Sequence, residues 1–381
     1  MRGVDAVVVG GGAIGASVAW ALARGGASVV LVERDEIGAH ASGAAAGMLA
    51  PISESPRDGP IRRLGLESLA RLEQEVAELR ELSGVDPELV RSGVLRVAAP
   101  DEADELRVRA AELASAGCTW LDPGELAKLE PSLAPGFAGA LRSSREGHVD
   151  GLRLTRAYAG AAARRGAVIQ RGVEVHGLVR DGARAVGVRT SAGEIHAHDT
   201  VLCTGAWARR ASDWLGFEVP VAPVKGQMLA LETAAPRGGP ILWSREVYAV
   251  PRGDGELRIG ATVERAGFDA RPTAAGVASL LAGAFALVPG LRAASLCRVW
   301  AGLRPGTPDE LPLVGAVPGV PGAWLAAGHY RNGILLAALT GAALAAEILD
   351  GRRLPGLEAF DPARYPRENP ARDGETSGRK R

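Results

Sequence analysis

Cysteine is scarce in this chain: three residues in 381, Cys118, Cys203 and Cys297, with no C-x-x-C pair among them. That pattern excludes a disulfide framework and a cysteine-based zinc site, and it fits a reducing cytosol. An excess of either charge is missing too. Lys and Arg number 44 against 44 Asp and Glu, so the net field offers no attraction for nucleic acid or an anionic membrane surface. Targeting signals are also lacking: Asp5 and several glycines interrupt the first apolar stretch, and no basic segment with a cleavage site accompanies it. The most apolar helical candidate, Gly333 to Leu349, is shorter than a bilayer span and carries Thr340 and Glu347, so it reads as a buried helix. A cytoplasmic location is expected, with neither nucleic acid nor membrane as partner.

What the chain has in quantity is glycine, 51 residues, with 24 prolines and 47% hydrophobic residues, a composition suited to a loop-rich α/β protein. Asp5 to Val9 is an apolar run of the kind buried in a parallel sheet, and Ile14 to Arg24 continues in helix formers. Between them Gly10, Gly12 and Gly15 match G-x-G-x-x-G, with Ala13 and Ile14 filling the spacer. Such spacing serves a tight turn, close approach of a pyrophosphate to backbone, and close helix-to-strand packing. The helix amino terminus adds amides and a positive dipole end for the phosphates. A second apolar run, Ser28 to Val32, ends at Glu33, close to the roughly 20 residues past the glycines where an acid accepts ribose hydroxyls. A dinucleotide site follows from these elements in register.

Further along, Pro60 to Leu82 has the period of an amphipathic helix, and Asp101 to Ala116 and Leu152 to Arg165 read as helices. Thr200 to Leu202, followed by Cys203-Thr204-Gly205-Ala206-Trp207, reads as a strand returning to the nucleotide sheet. Gln227 to Leu231, Val247 to Pro251 and Leu257 to Gly260 alternate with turn residues, as an antiparallel sheet would. Near the far end Trp300-Ala301-Gly302-Leu303-Arg304-Pro305-Gly306-Thr307 precedes Gly328-His329-Tyr330-Arg331-Asn332-Gly333-Ile334. A nicotinamide enzyme has no need of this second glycine-rich turn, whereas an extended flavin cofactor is gripped from both ends.

These stretches, together with Ser42 to Pro51, Tyr248-Ala249-Val250-Pro251-Arg252 and Gly260-Ala261-Thr262, resemble the D-amino-acid oxidase superfamily of flavoproteins, and within it the glycine oxidases of the thiamine-thiazole pathway. The similarity runs to about residue 360. It implies an α/β fold in which a Rossmann-type FAD-binding domain (1–83, 145–215 and 298–362) is interleaved with an antiparallel-sheet substrate domain (84–144 and 216–297). Residues 364–381 are expected to be a disordered tail.

The resemblance also assigns roles. FAD would contact Gly10, Gly12, Ala13, Ile14, Gly15, Glu33 and Arg34 at the adenosine side, with the backbone of Val175 against the adenine. Ala41, Ser42, Ala46, Gly47 and Met48 would pass beneath the flavin. His329, Tyr330, Arg331, Asn332, Gly333, Ile334 and Leu335 would place a helix amino terminus near its pyrimidine end. Family members with covalently attached flavin carry a cysteine before Thr-Pro-Asp-Glu; Gly302 to Gly306 contain none, so noncovalent FAD is expected. Arg304, Tyr248 and Arg331 are the candidates for the substrate carboxylate, because a guanidinium pairs with it bidentately and keeps its charge. An arginine beside a Pro-Gly turn is ordinarily a solvated charge, but Trp300 to Leu303 make the context of Arg304 apolar. Val263 stands where a family methionine can line the pocket.

The implied activity is oxidative deamination of glycine, sarcosine or small D-amino acids, with O₂ reduced to H₂O₂, an imine hydrolysing to glyoxylate, and a link to thiazole synthase; a homo-oligomer is expected. The alternatives are a D-amino-acid dehydrogenase feeding a quinone and a flavin domain acting on modified tRNA. The lack of a basic amphipathic segment weighs against the first, and zero net charge against the second. His148, His176, His196 and His198 have no metal-ligand spacing and read as structural or surface residues; no metal is expected.

Overall fold

The structure is a computed structural model that describes residues 3–55, 58–233 and 238–365. Strand Val4–Val9 lies at the centre of the first sheet, parallel to Val29–Glu33 on one side and Gly193–Leu202 on the other. Val168–Arg171 and Ala323–Ala327 extend it in parallel, and Leu313–Ala316 closes one edge antiparallel. Residues in the central strand are buried on both faces, which is why it reads as a continuous apolar run. Ala6 and Val8 pack with the helices, whereas Val7 and Val9 pack with Leu178, Val188, Leu215 and Phe217 on the other side.

Four helices cover the first face: Ala13–Arg24, Pro60–Ser83, Gly151–Arg164 and Gly333–Asp350. The last needs one correction. Together with the turn before it, the helical stretch Tyr330–Asp350 has 21 residues and a mean hydropathy of 1.7, long and apolar enough to cross a bilayer by composition. Length therefore does not decide its place, but packing does. Ser17 donates to the carbonyl of Ala337 at 2.7 Å, and a β-carbon on Gly341 would fall 2.6 Å from the carbonyl oxygen of Ser17. Ile334 to Ala345 are buried in the helical layer, apart from Ala342 at its margin.

The second sheet has eight strands, with Ser295–Gly306 at one edge, then Ala222–Glu232, Glu256–Gly260, Tyr248–Pro251, Ile241–Trp243, Val94–Ala98, Gly139–Ser143 and Cys118–Leu121. All neighbours run antiparallel except Ile241–Trp243 and Val94–Ala98. The boundary at 298 expected from the sequence falls inside strand Ser295–Gly306, which pairs along Ala222–Glu232 in this sheet. Helix Ala274–Leu287 closes one face around Leu229, Leu257 and Ile259. The opposite face carries Met228, Trp243, Tyr248 and Trp300 toward Ala46, Met48 and Ala50 from the first lobe.

Buried charge ties the lobes together. Arg252, with a side chain 1% exposed, donates to Asp150 Oδ2 and Glu88 Oε2, each at 3.0 Å, and to the carbonyl of Val149 at 3.1 Å. Arg258 reaches the same Asp150 oxygen at 3.0 Å. Asp150 also caps helix Gly151–Arg164 by accepting from the amide of Arg153. Arg364, expected in the disordered tail, instead grips Asp309 at 2.9 Å within a short helical turn, because that carboxylate offers it a fork. Residues 366–381 lie outside the described residues.

Candidate functional site

The glycine turn has the geometry its spacing predicts. Gly10 adopts φ +108°, and a β-carbon there would sit 2.4 Å from the carbonyl oxygen of Cys203; one on Gly15 would sit 1.9 Å from that of Gly10. Gly15 thus serves the packing of helix on strand, while Gly12, Ala13 and Ile14 line the cleft above it. Ser42 accepts from the amide of Ala13 at 2.9 Å, so its hydroxyl is docked on the first helical turn. Glu33, only 7% exposed, accepts from the amide of Gly11 at 2.6 Å and from that of Asp35 at 2.8 Å. Each carboxylate oxygen keeps a further lone pair for a hydroxyl donor.

Two cavities join into one long cleft. The first encloses about 900 Å³, including its open mouth, between Gly10, Glu33, Arg34, Val175 and Trp207. Arg34 stands 4.0 Å above the ring of Trp207, and His40 tilts against the same ring at 4.7 Å. The second cavity, about 1160 Å³ on the same measure, shares Gly12, Ala41, Ser42, Cys203 and Gly205 with the first. Its floor is Ala44, Ala45, Ala46, Gly47 and Met48. Gly47 has φ +81°, and a β-carbon would lie 1.8 Å from the carbonyl oxygen of Val149, so only glycine fits there. The indole of Trp300 donates to the carbonyl of Ala44 at 2.9 Å and pins this segment.

His329, Tyr330, Arg331, Gly333 and Ile334 close the far end, whereas Asn332 and Leu335 of the same turn face away into the core. Leu335 packs against Gly65 of helix Pro60–Ser83. His329 hydrogen bonds Thr340 at 3.1 Å, and burial lowers its pKa to about 3, so the ring is neutral.

At this end Tyr248 and Arg304 meet. They belong to strands separated by two others, and two glycines in between let their side chains lie flat. A β-carbon on Gly260 would be 2.5 Å from the Tyr248 ring, and one on Gly226 would be 2.3 Å from the guanidinium of Arg304. Arg304 donates to the carbonyl of Thr262 at 3.0 Å, and its guanidinium acts electrostatically on the Tyr248 hydroxyl. Burial raises the phenol's pKa despite that guanidinium, so it stays a protonated donor. No carboxylate among the described residues pairs with Arg304 within ion-pair distance.

Glu54, which the sequence reading did not single out, lines the same end. Its Oε2 lacks a hydrogen-bond partner and lies 3.9 Å from Arg331 Nε. Burial pushes its pKa up to about 7, opposed by Arg331 and reinforced by Glu146. A single acid after Pro51-Ile52-Ser53 carries no sequence signal. Val263 is 62% exposed and does not line the cavity; Met48 and Met228 do. Glu33, Asp35 and His40 bring ligand atoms within 4.8 Å of one another, but Asp35 is engaged by His40 at 2.7 Å and Arg34 at 3.1 Å.

A cleft with a ribose acceptor at one end, a backbone-only turn in its middle and a broad small-residue floor beyond fits a flavin dinucleotide. Residues 5–347 match the family of FAD dependent oxidoreductases typified by D-amino-acid oxidase. The chain belongs to this family. Glycine oxidase from Geobacillus kaustophilus is 37% identical over 366 residues, 95% of this chain and 96% of that protein. Its crystal structure matches with a TM-score of 0.90 over 95% of this chain and 99% of that one. The bifunctional protein ThiO/ThiG from Nostoc is 36% identical over 93% of this chain, which spans 54% of that longer protein. Iminodiacetate oxidase from Chelativorans matches with a TM-score of 0.84 at 28% identity, over 94% of this chain and 98% of that one. The cofactor of this chain is accordingly FAD.

Proposed function

We propose that this enzyme oxidises glycine, and with it sarcosine or small D-amino acids, to the imine, with O₂ as final acceptor and H₂O₂ as product. The observation that carries the reading is the Arg304 and Tyr248 pair: a fixed guanidinium without an ion-pair partner among the described residues, beside a protonated phenol, at the far end of the FAD cleft. FAD supplies the two-electron acceptor and, once reduced, the route to oxygen.

Arg304 offers two parallel N–H donors to the substrate carboxylate, and Tyr248 adds an O–H donor. Binding by three fixed donors orients the α-carbon as well as holding the anion, and orientation is a large part of the barrier reduction. Met228, Trp243 and Met48 bound the remaining space with apolar surface, which favours a small side chain. The α-amine must be neutral for its lone pair to drive departure of hydride. The two arginines at this end favour loss of the ammonium proton.

The relatives named ThiO/ThiG support delivery of the imine to a thiazole synthase. Free thiols at Cys118, Cys203 and Cys297 support a reducing cytoplasmic setting. The test is direct: purified yellow protein mixed with glycine bleaches without air and forms H₂O₂ with it. Protein that binds FAD yet gives neither response to glycine, sarcosine or D-alanine would refute the proposal.

A further inference from the structure

Three formal charges meet at the substrate end: Arg304, Arg331 and Glu54. A single substrate carboxylate satisfies Arg304 with Tyr248. Arg331 then remains as the second cation at this end of the cleft, its side chain 41% exposed, with the Glu54 carboxyl 3.9 Å away and itself 13% exposed.

Glu54 does not stand there by accident of a loose loop. The residues just before it are held from both directions. Glu146, fully buried, accepts from the amides of Ile52 at 2.6 Å and Ser53 at 2.9 Å and from the Ser53 hydroxyl. Arg109 donates to the carbonyl of Ile52, and Arg62 to that of Ser55 at 3.2 Å. With backbone pinned on either side of Glu54, its carboxyl is kept in the cavity. Burying an acid whose Oε2 finds no donor is costly.

We infer that Glu54 is a charge filter for the substrate: it occupies Arg331 and repels any ligand bringing a second anionic group, so that monocarboxylate amino acids are admitted and dianionic ones rejected. This rests on the proposed function for its substrate class. Iminodiacetate is sarcosine with one added carboxylate on the N-methyl carbon, so the pair isolates the second charge. Glu54 is faced by Arg331, Arg304, Tyr248 and Glu146, and burial raises the pKa of its carboxyl to about 7. The filter therefore strengthens as pH rises through that value.

The experiment uses FAD-loaded protein and its E54Q and E54D variants. The ratio of kcat/KM for iminodiacetate to that for sarcosine should rise at least about 10-fold in E54Q and much less in E54D. Equilibrium binding of acetate and sulfoacetate, read from the flavin absorbance, gives a measure free of turnover, and the sulfonate stays ionised throughout. Sulfoacetate should gain at least about 10-fold on acetate in E54Q. In the unaltered protein its disadvantage should grow from pH 6 to pH 8, which keeps the test available if E54Q fails to fold. Ratios within twofold of the parent, or no pH trend in the parent, overturn the inference. If the parent oxidises neither glycine nor sarcosine, the proposed function fails while the two anions still report on the filter.

Discussion

The guanidinium of Arg304 lies across the bare backbone of Gly226, where a β-carbon would come within 2.3 Å of its nitrogens. The two residues sit in paired strands, Ala222–Glu232 and Ser295–Gly306. On the proposed role of Arg304, Gly226 shapes the substrate end by leaving room for that guanidinium. Replacing Gly226 with Ala should displace the guanidinium and lower kcat/KM for glycine at least about 10-fold, the scale expected when an orienting group is moved. FAD content should be unchanged. Wild-type kinetics in that variant would show that Arg304 has room to lie elsewhere.

Glu33 braces the nucleotide turn, since its two oxygens hold the amides of Gly11 and Asp35, and we propose that it also accepts the ribose hydroxyls of FAD. Glu33→Ala should weaken FAD binding by roughly 1 to 3 kcal/mol, the range for losing charge-assisted hydrogen bonds. Titration of the apoprotein with FAD measures it. An unchanged dissociation constant would remove Glu33 from the cofactor's contacts.

Two neutral buried histidines set an acid limit on stability. Burial, with Arg252 next, lowers the pKa of His148 to about 4, and burial alone lowers that of His329 to about 3. Both lie below the free value of 6.5, so in that window the unfolded chain binds more protons. Stability is full above pH 6.5 and falls with acidification at about 1.4 kcal/mol per pH unit for each ring. Urea titrations between pH 6 and 4.5 should show a slope lower by about that amount in His329→Gln. An identical slope would mean the ring is protonated in the native state.

The nucleotide half of the cleft was legible in the sequence because its parts are local: strand, glycine turn, helix and Glu33 follow one another, and backbone geometry dictates the glycines. Helix Pro60–Ser83 was equally plain from its period. Arg304 and Tyr248 were legible through resemblance, but the reason they meet was not. Gly226 and Gly260 lie in intervening strands, and only strand pairing shows that each leaves a flat bed for a neighbour's side chain. Glu54 escaped altogether, since its role depends on Glu146, 92 positions away, holding the loop before it. Within the turn from His329 to Leu335, contiguity suggested that every residue faced the cofactor, yet helical geometry turns Asn332 and Leu335 to the core. The place of Trp207 beside Arg34 was not legible either, because its ring partners His40, Phe268 and Arg34 come from other parts of the chain.

The central claim is that Arg304 holds the substrate carboxylate, and steady-state peroxide assays on FAD-loaded Arg304→Ala test it most directly. The account predicts a fall in kcat/KM for glycine of at least about 10²-fold, or 2.7 kcal/mol, with FAD still bound. Arg304→Lys should restore only part of it, because an ammonium cannot reproduce the fork. Equal activity of the parent and Arg304→Ala toward glycine would contradict the assignment and transfer the carboxylate to Arg331.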